Sequence, residues 1–378
     1  MRWNIITGEY PPQPGGVSDY TAQVAHGLLA AGDQVEVWAP PCPQNPGPGG
    51  DIPVHRLPDD FGPRSIAAMQ RGLRPSSGTR VLVQFVPHAF GWRGMNLPLC
   101  LWIAARYRKN LTVTFHEVSY PVGREQSLRH NLLGVTTRLM ALTLARAARE
   151  IIVTTPTWQQ LLGPSAAPDA KTQWAPVPGN IPVAGDRAAI DALRSRFALS
   201  RGPVLGHFGT YGSLVTDSLL QIFPALMAAN RDLPLMLLGR GSDAFRARLV
   251  RDNPALANRI HAAGDLPAAE LSHHIAACGL FVQFYPDGIT CRRTSTMALL
   301  AHGRAVATTC GPMTENIWRE SKAVAMAPAN DLGKLAQLAL ELYGDETRRR
   351  QLQSAATATY DQRFDIRHTI SALRRDLK

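Results

Sequence analysis

Short apolar runs alternate with longer helical patterns through both halves of the sequence. The runs that predict strands are WNIIT, QVEVWA, IPVHRL, RVLVQF, LTVTF and EIIVTT in the first half, and PVLGHF, LPLMLL, RIHAAG, GLFVQF, RAVATT and KAVAMA in the second. Several segments between them, such as 17–31, 127–148 and 214–229, have the apolar periodicity of helices. Because parallel strands need long crossover connections, this alternation predicts an α/β protein with one doubly wound parallel sheet in each half.

The periodicity breaks near the middle of the chain. Residues 175–185 read APVPGNIPVAG and contain three prolines and two glycines, which is typical of a linker. A chain of 378 residues is also longer than one ordinary hydrophobic core. The expected domains are therefore 1–180 and 181–363, followed by a helical segment, 364–378, that returns to the first domain. A second stretch rich in proline and glycine, 44–50, is expected to be a surface loop.

Composition argues against several classes of protein. No run approaches the ~18 apolar residues that cross a membrane, and the first residues lack the layout of a signal peptide, so a cytoplasmic protein is expected. The five cysteines are widely spaced and include no C-x-x-C pair, which argues against a disulfide framework and against structural zinc. His273 and His274 have no third ligand at a useful spacing, so no metal is expected.

The net charge of +11 is unevenly distributed. Between Arg93 and Arg149 there are nine basic residues and two acidic ones, a local charge of +7. No recognition helix, zinc finger or pattern of stacking aromatics accompanies this charge, so nucleic acid is not an expected partner. The charge fits an anionic acceptor, or peripheral contact with the inner face of an anionic membrane, better.

Two adjacent arginines lie between a predicted strand and a predicted helix. Arg292 and Arg293 follow the strand 279–284, and Thr294 and Ser295 come next, at the start of an apolar helical run. A helix start offers free backbone amides and the positive end of a dipole, to which guanidinium and hydroxyl groups add donors. We therefore predict a phosphate site here; the alternative is that the arginines face solvent.

Gly15 and Gly16 precede the helix that is expected to begin near Val17. Without a Cβ, they would let backbone amides approach an anion, although a purely structural turn would use the same glycines. The stretch lacks the G-x-G-x-x-G spacing of a dinucleotide-binding fingerprint, which argues against a dehydrogenase.

In the order and spacing of these parts, the chain resembles the GT-B-fold retaining glycosyltransferases of family 4, the group related to glycogen and sucrose-phosphate synthases. The resemblance rests on PPQPGGVSDYTAQVAHGLLAAGDQVEVW, on TFHE, on PVLGHFGTYGSLVTDSLLQIF, on LGRG and on RIHAAGDLPAAEL. It implies two Rossmann-like domains that face each other across a cleft. The first would bind mainly the acceptor and the second mainly a nucleotide-diphosphate sugar, which is a co-substrate, so no cofactor is implied.

The resemblance also implies roles for individual residues. His116, beside Glu117, would position a hydroxyl group, and Asp287 would take the place of the first Glu of the family's Glu-x7-Glu motif. The second Glu is missing, because Ser295 or Ala298 stands there, depending on the alignment. The other donor-contacting positions are His207, Gly209, Thr210, Tyr211, Arg240, Gly264 and Leu266.

The expected function is thus the transfer of a sugar, with retention of configuration, to a glycan, a lipid-linked molecule or a small molecule. Family members usually carry Arg and Lys after the first strand of the second domain; here Arg292 and Arg293 would replace those cations. Two alternatives remain open. One is a sugar-nucleotide epimerase on the same fold, and the other is a catalytically degenerate protein that binds a glycan or a partner.

Overall fold

The computed structural model describes residues 1–43, 50–73, 78–162, 166–167, 169–197 and 202–375. Residues 44–49 of the expected surface loop lie outside these ranges. The chain divides into two compact units, one formed by Met1–Pro176 together with Ile366–Lys378, and the other by Val177–Asp365.

The first unit is built on a parallel sheet of seven strands in the order β3-β2-β1-β4-β5-β6-β7. The strands are β1 (Arg2–Thr7), β2 (Gln34–Ala39), β3 (Val54–Arg56), β4 (Thr79–Phe85), β5 (Leu111–Phe115), β6 (Glu150–Val153) and β7 (Lys171–Trp174). The helices are α1 (Gly16–Ala30), α2 (Pro63–Gly72), α3 (Leu97–Tyr107), α4 (Leu128–Ala147) and α5 (Pro156–Leu162). Every residue of β4, β5 and β6 is buried, as expected for parallel strands that are covered on both faces.

The first unit also contains the last helix of the described chain, α14 (Ile366–Arg374). Ile370 packs directly on α1 at Gly27, where a Cβ would come within 2.7 Å of the isoleucine side chain. Nε of Arg374 lies 3.0 Å from the buried carboxylate of Asp33, which precedes β2. The helix is held by this close apolar contact, by the ion pair and by a hydrogen bond from Nε2 of Gln173 to the carbonyl of Ala372 (3.3 Å).

The second unit is built on a parallel sheet of six strands in the order β10-β9-β8-β11-β12-β13. The strands are β8 (Leu205–Phe208), β9 (Leu235–Leu238), β10 (Ile260–Ala262), β11 (Leu280–Gln283), β12 (Ala305–Cys310) and β13 (Ala325–Pro328). The helices are α6 (Arg187–Phe197), α7 (Ser213–Ala229), α8 (Ser242–Asp252), α9 (Ala268–Ala277), α10 (Thr294–Ala301), α11 (Ile317–Ser321), α12 (Leu332–Gly344) and α13 (Glu346–Thr359).

Both sheets confirm the predicted α/β class with two doubly wound, Rossmann-like units. In each sheet the strand order reverses at one point, between β1 and β4 in the first unit and between β8 and β11 in the second. The loops that leave the carboxyl ends of these neighbouring strands run to opposite sides, and ligands of open α/β sheets bind in the crevice between them. Residues that bind ligands are therefore expected near these two points.

No helix within the described ranges is long and apolar enough to span a membrane. The cytoplasmic location expected from the sequence stays a prediction.

Candidate functional site

The amides at the start of α1 are bound by a carboxylate of the same chain. Glu9, in the loop after β1, accepts hydrogen bonds from the backbone amides of Val17 (2.9 Å) and Ser18 (3.1 Å). A Cβ at Gly15 would lie 2.4–2.5 Å from this carboxylate, so Gly15 makes room for Glu9, whereas the space at Gly16 is open. The carboxylate of Glu9 thus occupies the amides of Val17 and Ser18, and the approach of an external anion to Gly15 and Gly16 stays a prediction.

The loop after β1 is held by Arg56, at the end of β3, and touches the loop after β4. Arg56 donates to the backbone carbonyls of Tyr10 (3.2 Å) and Pro11 (2.6 Å). A Cβ at Gly8 would lie 2.3 Å from Cβ of Ala89, so only glycine allows the two loops to touch. The switch point of the first sheet is therefore closely packed around Glu9.

His116 directly follows β5 and is fixed by its neighbours. Its Nε2 lies 2.9 Å from Oε1 of Gln84 at the end of β4, and the edge of Tyr20 packs against its ring at 4.7 Å between centroids. Nε2 of Gln84 is buried and has no hydrogen-bond partner among the residues that the structure describes. A buried amide group without a partner is costly, so this NH2 group is a candidate donor to a ligand oxygen.

Glu117 belongs to a second polar group at the same edge of the sheet. Its carboxylate lies 3.6 Å from Nδ1 of His88, in the loop after β4, and this neighbour raises the pKa of His88 above the ordinary value. Burial acts in the opposite direction, and the charge of Glu9 adds to the rise. Glu9, His88 and Glu117 thus lie at the carboxyl ends of β1, β4 and β5.

The side chain of His207 belongs to the core of the second unit. It is 3% exposed and packs against the rings of Tyr211 and Phe223, at 5.0 and 5.9 Å between centroids. Burial lowers the pKa of the imidazole to about 3, so the ring is neutral at physiological pH. A neutral ring cannot take over the charge of the family's cation, and the expected contact of His207 with the donor stays a prediction.

We expect acid to destabilise the fold through His207. Its folded pKa is depressed, so its contribution to stability is complete above the unfolded value of about 6.5 and is lost as the pH falls towards about 3. The slope reaches at most ~1.4 kcal/mol per pH unit, and His207→Leu should remove it. Urea unfolding at about pH 7 and about pH 5 measures this slope. The exposed histidine of α1 provides the control, His26→Leu; equal changes in both variants would contradict the assignment.

The loops after β8 and β9 are in direct contact. Gly239 has φ +99°, and a Cβ there would lie 2.4 Å from the carbonyl oxygen of Gly209. The next residue after Gly209, Thr210, is exposed. Tyr211 has φ +52°, unusual for a bulky residue, and its hydroxyl donates to the carbonyl of His207 (3.3 Å). This strained turn places Gly209 and Thr210 at the switch point of the second sheet.

Arg240 lies in the loop after β9, one strand away from the switch point. Gly264 and Leu266 lie in the loop after β10, two strands away from it. Arg240 pairs with Asp265 at 3.0 Å, and both side chains are 64% exposed. Such a pair contributes little to stability, so Arg240 is available to another anion. Gly264 has φ +68° and donates from its amide to Oγ of Ser242, while Leu266 is half-buried.

Arg293 lies on the face of an aromatic ring at the start of α10. Its Cζ is 4.6 Å from the ring centre of Tyr285, whose hydroxyl is hydrogen-bonded to Oγ of Ser295 (3.0 Å) and Oγ1 of Thr296 (2.8 Å). Nε of Arg293 is buried and lacks a hydrogen-bond partner within the described part of the chain. Arg292 and Thr294 are half-buried. The guanidinium of Arg293 therefore does not simply extend into solvent.

Asp287 lies in a turn that is clamped against the loop after β12. Gly288 has φ +86°, and a Cβ there would lie 2.2 Å from Oγ1 of Thr314 and 2.3 Å from the amide of Gly311. The carbonyl of Asp287 accepts a hydrogen bond from the amide of Met313 (3.0 Å), while its side chain is exposed. The turn fixes the backbone and leaves the carboxylate accessible.

Glu315 is a residue of this region that sequence reasoning missed. Both of its carboxylate oxygens accept from the amide of Cys291 at 3.1 Å, and one also accepts from Nε1 of Trp318 at 3.0 Å. It thereby fixes the chain immediately before Arg292. The two segments are 24 residues apart in sequence, so no local pattern could have indicated this contact. In the described ranges, no group of three His, Cys, Asp or Glu side chains is arranged to hold a metal ion.

The sequence and the fold were compared with known proteins. Residues 15–178 match the sequence profile of a family described as glycosyl transferase 4-like domain. Among curated proteins no sequence match was found. The sucrose-phosphate synthase of Thermosynechococcus elongatus is similar in structure, with a TM-score of 0.73 and 17% identity over 100% of this chain and 99% of that one.

Two further solved structures are similar over the whole chain. HepE of Anabaena in complex with UDP-glucose has a TM-score of 0.67 and 16% identity, over 100% of this chain and 99% of that one. An α,α-trehalose-phosphate synthase (UDP-forming) of Burkholderia vietnamiensis has a TM-score of 0.68 and 12% identity, over 100% and 96%. Over residues 15–178 the chain is similar to the glycosyl transferase 4-like family, and over its whole length it has the GT-B fold of these solved structures.

Proposed function

We propose that the protein is a glycosyltransferase that takes a sugar from a nucleotide-diphosphate donor, bound mainly by residues 177–365, and transfers it with retention to an acceptor bound mainly by the first unit. The observation that carries the proposal is the arrangement of Arg293: a guanidinium stacked on Tyr285, with a buried Nε that lacks a partner in the described residues, at the start of α10. Such a group is prepared for an anion at the place where α/β sheets bind ligands.

The chemistry requires stabilisation of a departing diphosphate. The bond from the anomeric carbon to a phosphate oxygen breaks, a bond to an acceptor oxygen forms, and negative charge develops on the nucleotide diphosphate. Arg293 and Arg292 would supply positive charge, and the first turn of α10, which has no side-chain cap, would supply amides. Thr294 and Ser295 would add hydroxyl groups. These residues need no metal for this task.

The comparisons support the donor class. HepE was solved with UDP and with UDP-glucose, and the trehalose-phosphate synthase is described as UDP-forming. At 12–16% identity these neighbours support the choice of a nucleotide sugar but not the choice of base or sugar for this chain.

In the first unit, we assign recognition of a hydroxyl group to His116 together with Gln84. Their mutual hydrogen bond fixes both side chains, and Nε2 of Gln84 remains available to a ligand oxygen. Asp287 is assigned to the sugar, because its exposed carboxylate stands on a rigid turn beside the arginine segment. Glu117 would act through His88, whose protonated form it favours.

The test is incubation with a panel of nucleotide sugars, with and without candidate acceptors. Release of nucleotide diphosphate that depends on an acceptor, together with a product of unchanged anomeric configuration, is the expected result. An epimerised sugar without acceptor would favour the epimerase. Absence of binding to every nucleotide tested by calorimetry would favour the degenerate binder, for which the missing second Glu is the specific observation.

We expect His116→Ala to lower kcat/KM about tenfold, because one positioned hydrogen bond to a hydroxyl group is lost. Affinity for nucleotide diphosphate should stay within about twofold, since His116 lies in the first unit. Steady-state kinetics and calorimetry separate the two effects. His116→Asn keeps a polar side chain that can form hydrogen bonds, and it is measured in case the alanine variant does not fold. His26→Ala is the control, because His26 is exposed. Equal loss in His26→Ala would contradict the role of His116.

A further inference from the structure

Helix α4 is apolar on two opposite faces. One face packs into the first unit through Gly134, Thr137, Met140, Ala141, Leu144 and Ala145. The opposite face bears Leu128, Leu132, Val135 and Leu139, which are 88%, 59%, 46% and 47% exposed. Their spacings of four, three and four residues place them within about 60° of one another around the helix. A surface helix normally carries its large apolar residues on the face that it buries, so a second apolar stripe on the exposed face is unusual.

The loop before α4 extends the apolar surface. Val122 is 48% exposed, and its Cγ2 would lie 2.6 Å from a Cβ at Gly134, so it lies against the helix. The side-chain amide of Asn131 binds both the amide and the carbonyl of Gly123 at 3.0 Å. The loop is therefore fixed to α4.

Positive charge surrounds the stripe. Four exposed arginines, Arg124, Arg129, Arg138 and Arg146, lie in residues 121–147, and Glu125 is the only acidic residue of that segment. Arg129 and Arg138 project on opposite sides of the stripe, roughly 80–100° from its centre. We define the α4 surface as the four apolar residues of the stripe with these four arginines.

We propose that the α4 surface docks on an anionic lipid surface, with the leucines in the acyl boundary and the arginines at the phosphate groups. This combination of a leucine face and flanking basic residues is what an interfacial helix requires. A second copy of the chain fits less well, because pairing two α4 surfaces would bring eight arginines together. Nucleic acid would neutralise the arginines but offers no cover for the leucines. This proposal does not depend on sugar transfer.

The apolar part is tested by flotation of the full chain with phosphatidylcholine–phosphatidylglycerol vesicles and with pure phosphatidylcholine vesicles. The parent should float with the anionic vesicles only. Leu128→Gln/Leu132→Gln should bind at least about tenfold more weakly, equivalent to ~1.4 kcal/mol. The matched control is Leu214→Gln, which changes a leucine of 83% exposure in the first turn of α7. It should float like the parent.

The charged part is tested with Arg129→Gln/Arg138→Gln against the matched pair Arg248→Gln/Arg251→Gln on α8. Only the former should weaken binding, by about fivefold per charge at low salt, and should reduce its dependence on salt. The effect of the leucine changes should persist at high salt, because apolar burial is not screened.

Three outcomes would overturn the proposal. The first is that the parent fails to float with anionic vesicles at low salt. The second is that the leucine double variant floats as well as Leu214→Gln. The third is that vesicle binding is absent and sedimentation reveals a dimer that the leucine changes abolish. The last outcome would assign the α4 surface to contact between copies. Retention of the parent's circular dichroism spectrum by each variant excludes unfolding as the cause.

Discussion

Replacing Glu150 with alanine is expected to lower the free energy of unfolding of the first unit by about 3–5 kcal/mol. Its carboxylate, in β6, lies 3.3 Å from a terminal guanidinium nitrogen of Arg80 in β4, and the side chains are only 6% and 10% exposed. Thr112 on β5 and Gln173 on β7 also donate to it. One buried carboxylate thus connects four neighbouring strands, and its removal leaves the charge of Arg80 buried without compensation.

Urea unfolding followed by tryptophan fluorescence measures this loss. The control is Glu36→Ala, because Glu36 pairs with His55 in a contact whose side chains are 31% and 42% exposed, and its loss should cost no more than about 1 kcal/mol. The double variant Arg80→Met/Glu150→Leu should recover most of the stability, since it removes both charges and keeps the volume. Similar losses of stability in Glu150→Ala and Glu36→Ala would mean that water reaches the Arg80–Glu150 pair.

Arg293→Ala is expected to weaken the binding of nucleotide diphosphate about ten- to hundredfold. One charge-assisted contact with phosphate contributes about 1.5–3 kcal/mol, and the half-buried guanidinium is already oriented by Tyr285. The affinity of Arg293→Lys for nucleotide diphosphate should lie between those of the parent and the alanine variant, because lysine keeps the charge but lacks the planar array of donors. Calorimetry with UDP first, followed by the other nucleoside diphosphates, measures the affinity.

The matched control for Arg293 is Arg251→Ala, at a 72% exposed side chain at the end of α8 that contacts Asp252. Its affinity for UDP should stay within about twofold of the parent's. Arg292→Ala is measured in parallel, because the prediction is that at least one of the two arginines contacts the diphosphate. If both variants bind within about twofold of the parent, the arginines have no part in donor binding.

Strands were predictable from the sequence where both faces of the sheet are covered. The runs QVEVWA and LTVTF coincide with β2 and β5, because both are rich in the β-branched and aromatic residues that pack well in a sheet. β7, with the sequence KTQW, was missed: it lies at the edge of the sheet, is only partly buried and therefore carries no apolar run. Helix α2, PRSIAAMQRG, was missed because it is short and contains few large apolar residues, of which only Met69 is buried.

Sequence patterns also predicted those parts of the candidate site that are formed by residues adjacent in sequence. The start of α10 directly after Arg293 follows from strand, turn and helix signals that are adjacent in sequence. The binding of α1 by Glu9 could not be predicted, because it depends on how the intervening loop folds back. The burial of His207 depends on Phe223 of α7, which reaches the ring only once the helix has packed on the sheet.

The position of α14 has a consequence for the order in which the protein folds during synthesis. The second unit is a continuous stretch, Val177–Asp365, whereas the first is complete only with Ile366–Lys378. At ~5–20 residues per second, the ribosome takes on the order of 10–40 seconds to add the roughly 190 residues between the two parts of the first unit. During that interval the surface of α1 around Gly27 lacks Ile370, and Asp33 lacks Arg374. On the ribosome, the unit that begins first is therefore the last to be finished, and its uncovered helix is the surface that a chaperone would meet.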